Sequence, residues 1–568
     1  MLRLSELKLP LEHDEADLRE AILRRLRLAP EALKRWQLVR RSVDARRRDA
    51  IALVYAVDLD LALSDAERQR LLRRFAGDPH LRPSPDSRYR QAIRASADDG
   101  SERRRPLVVG AGPCGYFCAL LLAQMGLRPL LLERGRSVKE RTADTFGFWR
   151  GERNFDPESN AQFGEGGAGT FSDGKLYSQI SASETLIRKV LEELVAAGAS
   201  REILTLQRPH IGTFRLATVV RGLRRRIEEL GGDVWFGARV SDLILSERER
   251  QMEGVLLADG RRLEADQVVL AVGHSARDTM AMLQRHGVAL CRKGFAVGLR
   301  IEHPQGLIDQ ARWGASAGHP RLGPAEYKLV HHTASGRAVY SFCMCPGGLV
   351  VGATSEPGCV VTNGMSQHSR NERNANSGLV VAVSEAEMEP WGAFPGDPLA
   401  GIAFQRHWEA RAFEAGGCSY RAPAQWLEDF LAERPSGPAM AHGVTPSYLP
   451  GVRLGSLDGC LPDEVLTAIR EALPAFERSL PGYCMPGALL TGVETRTSSP
   501  VRITRQQETL QSINTIGLYP AGEGAGYAGG ILSAAIDGIR VAEAVAITLP
   551  HPRRPSEPGE SGGSGGST

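Results

Sequence analysis

Residues 107–126 read LVVGAGPCGYFCALLLAQMG. A short apolar strand runs into Gly110-x-Gly112-x-x-Gly115, and an apolar helix follows to Met125. The next strand, RPLLLE, ends at Glu133, 23 residues beyond Gly110. Strand, glycines, helix, strand and acid in this order predict a βαβ dinucleotide-binding unit. Gly110 makes the tight turn, Gly112 lets the backbone approach a pyrophosphate, and Gly115 lets the helix pack close to the strand. Pro113 suits the first helical turn. The helix N-terminus offers unpaired N–H groups and a positive dipole end to phosphates. Glu133, followed by Arg134, stands where a carboxylate can bond both hydroxyls of an adenosine ribose, and it would repel a 2′-phosphate.

The glycine turn does not separate NAD from FAD; a second stretch does. Residues 513–545 read INTIGLYPAGEGAGYAGGILSAAIDGIRVAEAV. A strand, GLYPAG, leads through Gly522 to Glu523, and a helix of small and apolar residues begins at Gly529, Gly530 and Ile531. This layout suits the far half of FAD. Glu523 would bond ribityl hydroxyls or the second phosphate. The helix N-terminus would stabilise charge on the reduced flavin. Between the two stretches, ADQVVLAVGHSARDTM (265–280) supplies a strand ending at Gly273, where the chain re-enters the dinucleotide domain beside the cofactor.

At 568 residues the chain is too long for one core. A composition 42% hydrophobic and 24% charged is that of a soluble globular protein, and no run reaches the ~18 apolar residues of a membrane helix. The N-terminus carries acids where a signal peptide needs an apolar core, which predicts a cytoplasmic protein. Nine scattered cysteines form no CxxC pair, so neither a zinc ribbon nor a thioredoxin-like motif is expected, and no metal site. Cys343 and Cys345, in FCMCPGG, fall on one face of a strand. They read as small buried apolar residues, with a redox or metal role as the alternative.

Residues 1–95 hold 21 Lys and Arg against 15 Asp and Glu, a surplus of +6 in a chain of net charge +3. Their βαββα pattern suggests a small ferredoxin-like α+β domain. The polar, Pro-bearing stretch 76–105 reads as a linker, ending at 96–105. The remaining expectation is a first part of the dinucleotide domain at 106–290, an inserted substrate domain at 291–490, the C-terminal part of the dinucleotide domain at 491–550, and a disordered Gly/Ser-rich tail at 551–568.

Together the three segments resemble the FAD-binding superfamily of glutathione reductase-like, hydroxylase-like and fumarate reductase-like flavoproteins. Gly522-Glu523 stands where that pattern has Gly-Asp. Longer motifs, FGEGGAGTFSDGKL (163–176), HSARDTM, FAVGLRIEHPQ (295–305), NGMSQHSRNERNANSG (363–378), GVETRTSSPVRI (492–503) and YPAGEGAGYAGGI, look like a bacterial group of FAD-dependent dehydrogenases over about residues 100–545. The resemblance implies an α/β fold with a glutathione-reductase-type FAD domain, an inserted α+β substrate domain and non-covalently bound FAD. It supplies a cofactor and a fold more than a reaction.

In the loop 163–176, Thr170, Ser172 and Lys175 offer donors to the flavin edge. Lys175 is one of only seven lysines in the chain, and a salt bridge to Asp173 is its alternative role. Glu494 and Arg496 belong to a polar cluster before the last dinucleotide strand. Arg496 could clamp an anionic substrate bidentately, or the cluster could be a hydrogen-bonded hinge. Lys175, Arg496 and Glu494 are the catalytic candidates. With no second GxGxxG unit, NAD(P)H would dock only transiently, or electrons would come from the substrate or a protein partner. The leading expectation is an oxidoreductase passing a hydride between FAD and a small organic substrate. A flavoenzyme modifying RNA through the basic N-terminal domain is the second reading, and a non-catalytic flavin scaffold or sensor the third.

Overall fold

The computed structural model describes residues 1–91, 104–177, 182–437 and 443–548. The tail 551–568 and residues 92–103 of the expected linker lie outside the described residues.

The N-terminal unit starts with the strand Leu2–Pro10, whose leucines alternate inward. The helix Glu15–Leu26 is capped by Asp14 and Asp17 in a reciprocal box, and Asp65–Arg74 by Ser64 and Glu67 in the same way. The strands Leu33–Asp44 and Ala52–Leu61 complete the expected pattern. A fourth strand, Leu81–Pro83, pairs with Leu2–Leu4 at the sheet edge. Residues 81–83 are therefore part of this sheet and not of a linker. All pairings in it are antiparallel, with Ala52–Leu61 and Leu2–Pro10 in the middle. The unit is docked on the rest of the chain: Arg3 joins Asp58 and Glu184, and Arg41 exchanges backbone hydrogen bonds with Thr205 and Gln207.

The strands Leu107–Val109, Leu130–Leu132, Asp233–Trp235, Val268–Leu270 and Leu518–Pro520 form one parallel sheet. Four of its strands are buried on both faces, as a covered parallel sheet requires, whereas the edge strand Asp233–Trp235 is partly exposed. The helix Pro113–Gln124 is buried from Cys114 to Ala123, because the sheet lies on one side and the helix Ile531–Thr548 on the other. Two glycines make this possible. A Cβ on Gly115 would collide with the Gly110 carbonyl, and one on Gly538 with the Cys114 carbonyl. A three-stranded antiparallel meander, Val240–Leu245, Met252–Leu257 and Arg262–Glu264, lies between the third and fourth of these strands in sequence.

The inserted unit is built on a seven-stranded sheet centred on Phe295–Pro304, which pairs with Asn374–Val383 on one side and Leu489–Glu494 on the other. The helix Asp463–Ser479 packs on it. Leu489–Glu494 is paired along its length with this sheet, so the crossing back to the parallel sheet lies beyond Glu494 rather than at 490. Both crossings run side by side as the ribbon of Leu290–Arg292 with Val501–Ile503. Among the described residues no helix is long and apolar enough to cross a membrane.

Candidate functional site

A cleft opens where the parallel sheet, the helix Ile531–Thr548 and the inserted unit meet. It encloses about 1540 Å³ of atom-free space, open solvent included. Gly110, Gly112, Pro113, Glu133, Arg134, Gly273, Glu523, Gly529, Gly530 and Ile531 all line it, with Ser172, Lys175 and Arg496. Residues from positions 109 to 534 thus meet around one space. Gly115, Thr170, Gly522 and Glu494 do not line it. Gly115 packs beneath the turn, and Thr170 is buried with its hydroxyl on the Glu165 carbonyl. Gly522 donates its N–H to Asp537.

Backbone groups shape one end. Glu133 is buried and accepts N–H bonds from Ala111, Gly135 and Gly164 at 2.8–2.9 Å. It thereby ties the glycine turn to the loop after residue 160. The Arg134 fork is taken by Glu158, with Asp278 at 2.9 Å, and its plane lies 4.1 Å from the Phe163 ring centre. Arg141, fully buried, gathers the carbonyls of Asn160, Ala161, Glu165 and Gly167 at 2.7–2.9 Å. It holds the glycine loop against Gly112. Sequence reading missed it, because an arginine in an amphipathic helix gives no sign of turning inward.

Side chains from distant segments shape the other end. Phe342, Cys343, Asn363 and Thr497 reach it from the inserted unit, and His274 and Ser275 from the loop after the fourth parallel strand. Lys175 donates to the Met344 carbonyl and lies 4.0 Å from Asp173. Asp173 and Glu326 outweigh burial and hold its ammonium above the usual lysine range, so it is a fixed cation and not a base. Burial, with Arg496 and Arg277 nearby, pushes His274 down to about 3, so the ring is neutral. Its Nε2 is buried without a hydrogen-bond partner among the described residues. Burial raises Glu523 to about 7 despite the Ser499 N–H and Lys293.

Two expectations need correction. The Arg496 guanidinium is bidentate to Glu409 at 3.0 and 2.8 Å, and its remaining nitrogen donates to Ser275 and Ser355. Four of its five N–H donors are thereby used, which leaves no pair for a bidentate clamp on a substrate. Glu409 also holds Arg277, at 2.8 and 3.0 Å. Glu494 is bidentate to Arg300 at 2.8 and 2.7 Å in the sheet interior. Both are structural ion pairs, of the kind the hinge alternative describes.

The cleft fits a flavin dinucleotide. Gly273 has nothing within 4 Å of where its Cβ would stand, and Gly529 only the Glu523 carboxylate. A side chain at Gly273 would enter the cleft. Two helix N-termini, at Pro113 and Ile531, open onto it, and the orphaned His274 Nε2 adds a polar atom.

Comparison with known proteins agrees. Residues 294–497 match the family described as FAD-dependent protein, C-terminal domain-like, and residues 1–60 match a domain of unknown function. A Clostridium beijerinckii protein, described as an uncharacterized protein, is 42% identical over 545 residues, 96% of this chain and 98% of that one. Solved structures are more distant. CtdE in complex with FAD is 12% identical, with 78% of this chain and 84% of that one covered and a TM-score of 0.30. Quinol fumarate reductase FrdA of E. coli is 12% identical over 78% and 69%, with a TM-score of 0.32. At such scores neither informs the reading of the site. On the identity that runs the length of the Clostridium protein, and on the family match to its inserted unit, the chain belongs to a family of FAD-dependent proteins, and FAD is its cofactor.

Proposed function

We propose that the protein is an oxidoreductase of glutathione-reductase-type architecture in which FAD spans the cleft and exchanges a hydride with a small organic substrate. One observation carries the reading: the two glycine segments, 110–113 and 529–531, line the same cleft as Phe342, Cys343, Asn363 and Thr497 of the inserted unit. FAD, when bound, supplies a reversible two-electron acceptor. Gly110, Gly112 and Pro113 would hold the phosphates, with the helix N-terminus supplying N–H groups. Glu133 has lone-pair capacity beyond its three amides, and a ribose hydroxyl would use it. Lys175 holds positive charge at the opposite end, where it opposes the negative charge of a reduced flavin. His274, neutral, can accept or donate one hydrogen bond at Nε2 without adding charge. The substrate would lie on the side of Phe342, Asn363 and Thr497.

We read the N-terminal unit as a ferredoxin-like sandwich, from its βαββαβ order and its antiparallel sheet. Several of its basic side chains are paired within the unit. Arg46 and Lys8 share Asp44, Arg47 pairs with Asp49, Arg25 with Asp78, and Arg88 and Arg90 with Asp86.

The test is an ultraviolet–visible spectrum of the purified protein, heat release of its chromophore, and anaerobic screening for bleaching by NADH, NADPH and organic reductants. Released FAD and bleaching by one class of donor are expected. A colourless protein that takes up no FAD would overturn the reading, and bound FAD that nothing reduces would favour a scaffold.

A further inference from the structure

The strand Ala338–Cys345 carries an irregularity beside the cleft. Phe342 pairs with Gly378 and Cys345 with Asn376, so three steps on this strand span two on its neighbour. The bulge includes Cys343, whose φ is 44°, a left-handed conformation that non-glycine residues seldom adopt. In a regular strand, Cys343 and Cys345 would have Cα atoms about 6.6–6.8 Å apart. That is the upper edge of the roughly 4.4–6.8 Å that a disulfide spans. Cys343 lines the cleft and is partly accessible, whereas Cys345 is buried behind it with Sγ 3.3 Å from the Cys343 carbonyl.

Cations flank the pair. Lys175 is bonded to the carbonyl of Met344, the residue between the two cysteines. Arg300 donates to the Cys343 carbonyl at 3.3 Å. The facing carboxylates are engaged elsewhere: Glu494 with Arg300, Asp173 with Arg370, and Glu326 with Arg370 and the Tyr177 hydroxyl. A hydrogen bond from Cys345, then Lys175 and Arg300, overcome burial and lower Cys343 to about 6. The Cys345 thiol is pushed up by the same contact. Cys343 is therefore the more acidic of the two thiols, and Cys345 keeps its proton longer.

We propose that Cys343 and Cys345 are a redox-active dithiol that exchanges an electron pair with the flavin in the cleft. The proposal rests on the reading that FAD occupies this cleft beside Cys343. In the oxidising direction the Cys343 thiolate and the Cys345 sulfur form one S–S bond. The S–H bond of Cys345 breaks, and its proton and two electrons pass to the oxidised flavin, which becomes the reduced anion. The negative charge that begins on Cys343 ends on the flavin, and Lys175 opposes it at both stages.

Diamide-treated, desalted holoprotein should take up two electron pairs per chain from dithionite under anaerobic conditions. Cys343→Ser and Cys345→Ser should each take up one, with the flavin spectrum retained. Peptide mass spectrometry should find the Cys343–Cys345 peptide lighter by two hydrogens after diamide. Iodoacetamide should label Cys343 with a half-maximal rate at lower pH than the exposed Cys291. Uptake of a single pair by yellow wild-type protein, with no such peptide, would overturn the dithiol alone. A protein without flavin would overturn the cofactor reading beneath it, and this proposal with it.

Discussion

The two ends of the cleft are made of different materials. Around Gly110, Gly112 and Glu133 the surface is mostly backbone, fixed by amide bonds to one carboxylate and by Arg141 on a set of carbonyls. Around Lys175, His274, Cys343 and Thr497 it is mostly side chain, drawn from four segments held in place by buried ion pairs. A backbone site tolerates changes of charge but not of volume. A side-chain site behind ion pairs fails in the opposite way.

The strongest way to break this contrast is Gly115→Val. Its Cβ would overlap the Gly110 carbonyl, and neither the helix nor the strand can yield, since both are buried. A loss of 3 kcal/mol or more, on the order of the largest single-site effects, is expected in thermal or denaturant unfolding, together with loss of bound FAD. If the variant keeps FAD and its melting temperature, the close helix–strand contact is not what shapes the turn.

Next comes Glu409→Ala. It strands Arg277 and Arg496 without their shared carboxylate in a buried site, at a cost of about 3–5 kcal/mol. Replacing Arg300 and Glu494 together by Met and Leu removes a whole pair and should be close to neutral. If Arg496→Ala instead left stability unchanged and raised KM for an anionic substrate, the clamp excluded by the geometry would return.

The same contrast explains what was legible in the sequence. Gly110, Gly112 and Gly115 act through the backbone, and their spacing in the chain is their spacing in space. The parallel sheet, the acid at Glu133 and the return at Gly529–Ile531 could be read for that reason. The other end is assembled by long-range contacts that leave no local period. Arg496 and Glu494 looked like free polar groups because their partners, Glu409 and Arg300, are 87 and 194 residues away. Cys343 was visible as one of a pair, but alternation placed it as buried apolar filling. The bulge that turns it to the cleft depends on the register with Gly378 and Asn376. The edge strand Leu81–Pro83 was hidden in the same way, since three residues in a polar stretch show no alternation.

Glu523→Gln sharpens the comparison at intermediate cost. The Glu523 carboxyl is raised from 4.5 to about 7, so folding favours its protonated form. The stability this gives is complete below pH 4.5 and is lost as pH rises from 4.5 through 7. Glutamine, always neutral, should flatten unfolding free energy across that window and stabilise the protein above pH 7 by at most about 3 kcal/mol. An unchanged pH profile would mean that the carboxylate is already solvated or paired.

The smallest effect belongs to Lys175→Met. Asp173 and Glu326 keep Arg370 as their partner, so losing the lysine's charge should leave folding and the FAD content of purified protein nearly intact. What it should change is the thiolate beside it. Lys175 is one of two cations favouring the charged form of Cys343, the other being Arg300. Its loss should move the midpoint of Cys343 alkylation upward by about one pH unit, while that of Cys291 stays where it was. A midpoint that does not move would assign the lowering to Cys345 and Arg300. Lys175 would then be a clip on the Met344 carbonyl, and the two ends of the cleft would differ less than their composition suggests.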